Sequence, residues 1–394
     1  MGGNPMASTA YLDNACIGKI HPEVVRVAEE TLRGFAELTG DPTEFTCDLF
    51  DRYEEGRSII ERVLNLEKNS VAYVENTSHG LGLIANALPL ERDDNVLVCD
   101  LEFFSTVMCW KRHQIKTGFE VRPVKTSGGI VTVDDFKRVS DSHTKAIVVS
   151  SVQEINGYRV DIDELADFAR SIGAYIIVDG IQEVGALDPS IVKRDVDVYC
   201  AGGHKWLRNP LGTGFLYINP KIVDTIEPDF YGYFNALPPE SGWGPYLESP
   251  ARSPYDDLKY VPGAAKFEIG ATLNYQGAFG LVKSMECIEA EGIKTIETAV
   301  LQRRRYIQEG LQKIGASICG TTEEKHLSGI CTFNLKGGIE EEHRLKDLFD
   351  EKNIYCSLRY VSGVGGIRLS AHSYTDFDEI DYMLETVKEF LEKR

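Results

Sequence analysis

Residues 199–218 read "YCAGGHKWLRNPLGTGFLYI": an apolar, β-rich run, then two glycines, a histidine and a lysine, then a second apolar run. Lys205 stands between His204 and Trp206, where the flanking residues have the composition of buried strand. A lysine in that position is either a solvated loop charge or a group held there for chemistry. The sequence around it decides between the two.

From Ser70 to Ile218, short runs of Val, Ile and Tyr bounded by Gly, Asp or Ser alternate with helical stretches. "NVLVCDLEF", "KAIVVSSV", "AYIIVDG", "VDVYCAGG" and "TGFLYI" read as strands. In "DIDELADFARSIG", Leu165, Phe168, Ala169 and Ile172 share one helical face, Asp161 or Asp163 caps the start and Gly173 ends it. Strands buried on both faces and separated by helices form a mostly parallel sheet. Such a sheet collects its ligand at the carboxyl ends of the strands. After Ile218 a Pro-, Gly- and aromatic-rich stretch (227–260) shows no period. A long helical run over about 275–314 follows, then strands "GICTFNL" and "GIRLSAH" among further helices. The expected fold class is α/β, a large domain with a mostly parallel mixed sheet and a smaller α+β C-terminal domain.

The chain has 394 residues, 43% of them hydrophobic and 26% charged, which is ordinary for a globular protein. A net charge of −19 speaks against nucleic acid and anionic membranes as partners, because both require a basic surface. No apolar run has the length of a membrane span, and the first residues lack the basic and apolar regions of a signal peptide. Nine cysteines without a CxxC pair suggest neither a disulfide framework nor a zinc site. Reduced thiols in the cytoplasm are the expectation.

The polar residues at the strand ends then carry the argument. Asp179 ends "YIIVDG", with Gln182 three residues on. Phe103 and Phe104 follow "CDLE", and Gln153 and Asn156 follow "VVSSV". Thr77, Ser78, His79 and Gly80 form a strand-to-helix turn whose free N–H groups and helix dipole suit a phosphate. Taken alone, Asp179 is a helix cap and the turn is a weak signal. Together, a lysine, a carboxylate, a stacking aromatic and a phosphate turn on one sheet edge are the parts that pyridoxal 5'-phosphate requires. The lysine forms the Schiff base, and the carboxylate keeps the pyridine nitrogen protonated.

"VDGIQEVG…VDVYCAGGHKWLRNPLGTGFLYI" resembles the core of the class V aminotransferase superfamily, in its cysteine desulfurase, isopenicillin-N-epimerase-like and C–S lyase branch. "YLDNACIG", "DLEFFS", "KFEIGATLNYQGAFGL" and "IRLSAHSYTDFDEID" resemble further segments of the same family in the same order. The resemblance implies the type I fold of pyridoxal-phosphate enzymes. Residues 1–20 would be a segment near the active site, 21–262 the large domain and 263–394 the small one. Lys205 is implied to be the Schiff-base lysine and proton carrier at Cα. Asp179 would face the pyridine nitrogen, Gln182 the phenolic oxygen and Phe103 the ring. Thr77, Ser78, His79 and His204 belong to the phosphate side, where Gly202 stands in place of the serine common in relatives. Arg368 would clamp the substrate α-carboxylate, and Asn14, Gln153 and Asn156 would lie near the substrate. Arg359 is a candidate for a second carboxylate or polar tail. Thr272 matches the threonine that reaches the phosphate of a neighbouring subunit, which implies a homodimer with shared active sites.

The expected activity is a change at Cα of a small amino-acid substrate, with β-elimination from a sulfur-containing amino acid favoured. Transamination, epimerisation or racemisation, desulfuration through Cys356, and a catalytically inactive scaffold on the same fold are the alternatives.

Overall fold

The computed structural model describes residues 9–38, 40–270 and 273–393. In chain order its strands are β1 (Ala10–Tyr11), β2 (Val71–Val74), β3 (Asn95–Cys99), β4 (Glu120–Val124), β5 (Thr144–Ser150), β6 (Tyr175–Asp179) and β7 (Val198–Gly202). They continue with β8 (Gly214–Ile218), β9 (Ser317–Ile318), β10 (Ile330–Asn334), β11 (Ile354–Tyr355), β12 (Ser357–Val361) and β13 (Val364–Ser370). Seven of them form the large sheet in the order β2-β8-β7-β6-β5-β3-β4.

β4, β3, β5, β6 and β7 run parallel. β8 lies antiparallel between β7 and β2, so β2 points the same way as β7. The carboxyl ends of β2, β3, β5, β6 and β7 therefore share one edge, as the alternating pattern predicts for an α/β sheet. Every residue of β3, β7 and β8 is buried, which is why they read as unbroken apolar runs rather than alternating ones. Successive side chains still divide between the faces. Leu97, Ile147, Val178 and Tyr199 pack on one side, and Val96, Val98, Ile177 and Cys200 on the other.

The helix read in "DIDELADFARSIG" spans Ile162–Ser171. The Asp161 side chain accepts from the Glu164 N–H at 3.1 Å, and Gly173 stops the helix at φ +70°. The long C-terminal helical run is two helices, Tyr275–Glu291 and Ile293–Lys313. Gly292 breaks them at φ +86°, its N–H capping the Ile288 carbonyl at 2.8 Å. This break gives the two halves different partners. Tyr275, Phe279 and Met285 pack beside Tyr73 and Phe215 of the large sheet, whereas Ile307 and Leu311 join the core under the small sheet. The small sheet is antiparallel, in the order β12-β13-β10-β9.

The N-terminal segment ties the two sheets together. β1 pairs in parallel with β11, the Ala15 N–H donates to Ser370 Oγ at 2.8 Å, and the Gly18 N–H donates to the His204 carbonyl at 2.9 Å. A Cβ on Gly18 would stand 2.0 Å from the Lys205 carbonyl oxygen, so the approach requires a glycine. The aperiodic stretch 227–260 holds only a short 3-10 turn at Tyr233–Asn235 and a helix at Trp243–Glu248, and it exposes Phe230, Tyr231, Tyr255 and Tyr260. Among the described residues, no helix is long and apolar enough to cross a membrane.

Gly18→Ala is expected to cost about 1–3 kcal/mol through overpacking. Urea unfolding should show a lower midpoint with an unchanged slope. An unchanged midpoint would mean that the segment does not hold this approach in solution.

Candidate active site

The shared strand edge opens into a cavity of about 530 Å³ between the large sheet and the β12–β13 pair, a size suited to a small ligand with a cofactor. Lys205, His204, Asp179, Gln182, Thr77, Ser78, Phe103, Arg359 and Arg368 all line it. The sequence separates these nine residues by up to 291 positions, and the parallel strand order brings them together.

Lys205 follows β7, and burial pushes its ammonium below the ordinary lysine range. Asp179 on the neighbouring β6 opposes that shift, and Arg368 adds to it. Asp179 is buried, and burial raises its carboxyl above the ordinary range against the pull of the Ile181 N–H and of Lys205. The two groups thus move toward their neutral forms despite opposite charges, because loss of water outweighs their attraction. Asp179 Oδ1 accepts from the Ile181 N–H at 3.0 Å, and Oδ2 accepts from Thr106 Oγ1 at 3.2 Å. No lysine or arginine among the described residues forms an ion pair with it.

Gln182 is fixed from both sides. Trp206 Nε1, which can only donate, gives its hydrogen bond to Gln182 Oε1 at 2.8 Å, and Gln182 Nε2 donates to the Ala15 carbonyl at 3.0 Å. One amide hydrogen remains for a ligand. Trp206 is therefore a positioning group, a role that the sequence beside Lys205 does not disclose. Thr77 opens the helix Thr77–Ala87 behind the Asn76 cap. Its hydroxyl oxygen accepts from the Gly202 N–H at 2.9 Å, leaving the hydroxyl hydrogen to donate. A Cβ at Gly202 would come within 3.1 Å of His204 Nδ1, so this glycine and the histidine's placement go together. Burial pushes His204 down to about 4, and it is neutral near pH 7. Phe103 caps the helix Phe104–Thr117 with its ring 43% exposed at the cavity.

Several expected residues are placed differently. His79 Nδ1 accepts from the Glu75 N–H at 3.2 Å, turned back over its own helix end. Asn14 spends its amide on the Ser370 carbonyl at 2.8 Å and on the Tyr374 hydroxyl. Asn156 bonds the Gly129 carbonyl and the Tyr158 N–H, holding a turn. Gln153 is buried beside the cavity, and its Nε2 donates to Glu102 at 2.9 Å. That carboxyl, raised to about 7 by burial, also accepts from Ser150. Cys356 lies in the small-domain core, where burial pushes its thiol up to about 12. Thr272 lies outside the described residues. Sequence reasoning passed over Glu154, which lines the cavity and pairs with Arg368, and Cys16, whose exposed thiol also lines it. The one available signal was position. Glu154 stands between Gln153 and Asn156, but a loop has no period to say which side chain turns inward.

These residues fit pyridoxal phosphate. Asp179 is a buried carboxyl outside any ion pair, the Thr77 hydroxyl keeps a proton to donate at a helix N-terminus, and the half-buried Lys205 lines the same cavity. A model of the aminotransferase class-V family matches residues 10–383, and the chain belongs to this family. It is accordingly a pyridoxal-phosphate-dependent enzyme. It is 26% identical to a "probable cysteine desulfurase" of Pyrococcus abyssi, over 97% of this chain and 94% of that protein. It is also 26% identical to the isopenicillin N epimerase of Streptomyces clavuligerus, over 92% and 91%. Among solved structures, the apo cysteine desulfurase of Thermococcus onnurineus superposes with a TM-score of 0.84 at 23% identity, over 98% of this chain and 95% of that one. The cystine C–S lyase C-DES, in complex with its product cysteine persulfide, superposes with a TM-score of 0.86 at 19% identity, over 98% of each chain. These two likenesses speak for the fold.

Borohydride treatment of the yellow protein should fix the cofactor covalently to Lys205, located by peptide mapping, and the Lys205→Ala variant should lose all label on gel filtration. Label retained by the variant would place the attachment on another lysine.

Proposed function

We propose that this enzyme cleaves the Cβ–S bond of a sulfur-containing amino acid by β-elimination, with Lys205 moving the Cα proton. Pyridoxal phosphate, when bound, supplies an electron sink that lets a bond at Cα break heterolytically. Lys205 would hold it covalently, Asp179 would face its ring nitrogen and Phe103 its ring. Thr77, Ser78 and His204 would serve the phosphate, and Gln182 would offer its remaining amide hydrogen to the phenolic oxygen. The lowered basicity of Lys205 favours a neutral amine, the form that can accept a proton from Cα. An arginine of the β12–β13 pair reads the substrate carboxylate.

The observation that carries elimination, rather than desulfuration through Cys356, is the burial of Cys356 in the small-domain core with its thiol pushed up to about 12. A sulfur acceptor must reach the substrate as a thiolate. The names of the similar proteins, cysteine desulfurase and cystine C–S lyase, support carbon–sulfur chemistry as the class. A second reading, transfer of sulfur to a protein thiol, is favoured by Cys16, which is exposed and lines the cavity. The same family reading makes the protein a homodimer, to be checked by light scattering.

Incubation with cysteine and with cystine separates these chemistries by product. Elimination releases pyruvate and ammonium with the sulfur leaving group, whereas sulfur transfer leaves alanine. Pyruvate is expected, at an unchanged rate in Cys356→Ser and in Cys16→Ser. Alanine lost in Cys16→Ser would establish transfer instead, and a keto acid that retains its sulfur would mean transamination.

A further inference from the structure

The two side-chain oxygens of the buried Asp179 accept hydrogen bonds of different kinds. Oδ1 accepts from the Ile181 N–H at 3.0 Å, a backbone bond that any residue except proline would supply there. Oδ2 accepts from Thr106 Oγ1 at 3.2 Å, across 73 positions of sequence. Thr106 is fully buried, so this hydroxyl has no water to turn to.

Thr106 lies in the first turn of the helix Phe104–Thr117, and its N–H donates to the Phe103 carbonyl at 2.9 Å. Threonine hydroxyls at such positions commonly bond local backbone. This one instead reaches the end of β6. A single helical turn thus carries Phe103, which lines the cavity, and the hydroxyl that holds Asp179.

Burial raises the Asp179 carboxyl above its ordinary range, and the Ile181 N–H, Lys205 and Thr106 pull it back. Lys205 beyond β7 acts through space, as do Glu102 beyond β3, Tyr199 and Cys200 on β7, and Cys109 on the Thr106 helix. Among the described residues, Thr106 is the one side chain whose hydrogen bond favours the ionised form of this carboxyl.

A carboxyl facing a pyridine nitrogen away from water shares one proton with it, and the pair titrates as a unit. A donor on the carboxylate stabilises the charge left on oxygen when the proton sits on nitrogen. Without that donor a buried oxygen is left unsatisfied, and the proton moves from nitrogen to oxygen. We propose that Thr106 is a positioning residue that holds Asp179 as a carboxylate and so keeps the proton on the cofactor's ring nitrogen. The inference rests on the reading that Asp179 faces that nitrogen.

The test binds pyridoxal phosphate, isotopically labelled at its ring nitrogen, to the wild type and to Thr106→Val, Thr106→Ser and Asp179→Asn. The nitrogen's NMR shift separates the protonated from the unprotonated ring. Valine keeps the shape of threonine without the hydroxyl, and serine keeps the hydroxyl. Thr106→Val is expected to move the shift toward the unprotonated state and to weaken cofactor binding about 10-fold, and Thr106→Ser to restore both. Should Thr106→Val not fold, Thr106→Ala removes the same donor. A wild-type shift in the folded variant overturns the proposal, because a threonine that only packs would change stability and leave the ring untouched. A protonated ring in Asp179→Asn would mean that Asp179 does not face the nitrogen, which sinks that reading and this proposal with it.

Discussion

A half-buried lysine and a buried aspartate, drawn from water at the ends of adjacent strands, constrain everything around them. Each ion removed from water costs several kcal/mol, and the attraction between Lys205 and Asp179 does not offset this, since both groups shift toward neutrality. The surroundings make the arrangement tenable by satisfying polar atoms individually. Thr106 and the Ile181 N–H cover the carboxylate oxygens. In the function proposed above, a neutral amine would serve as nucleophile and base, and a carboxyl outside any ion pair would face the ring nitrogen of the cofactor.

The same constraint explains the N-terminal segment. A site that depends on low local polarity needs a wall on its open side, and here the wall belongs to a different sheet. Residues 10–18 pair with β11, bond Ser370, and then press a glycine against the backbone of residues 204 and 205. Their Ala15 carbonyl also takes an amide hydrogen of Gln182. One segment thus ties the small sheet, which carries Arg359 and Arg368, to the loop that carries Lys205.

How much could be read beforehand depended on periodicity. The buried strands, the helix at residues 162–171 and the strand-end residues Asp179, Lys205, Phe103 and Thr77 were legible because composition and period mark where a strand stops. The break at Gly292 was hidden by apolar residues that continue at helical spacing on both sides. Side-chain direction in loops was not legible at all. His79, Asn14 and Asn156 have the right chemistry for a site, yet His79 and Asn156 spend hydrogen bonds on nearby backbone, and Asn14 spends its own on the Ser370 carbonyl and the Tyr374 hydroxyl. Glu154, one residue past Gln153, turns into the cavity.

What the sequence by itself determined is the list of parts and the edge on which most of them meet. Parallel β-α alternation sends every strand's carboxyl end the same way, so residues that follow strands converge whatever the loops do. What only the tertiary structure decided is the electrostatic state of those parts. The loss of basicity at Lys205 and the pairing of Arg368 with Glu154 depend on burial and on neighbours distant in the chain. Such through-space effects fall off with distance between atoms and carry no trace in the order of residues.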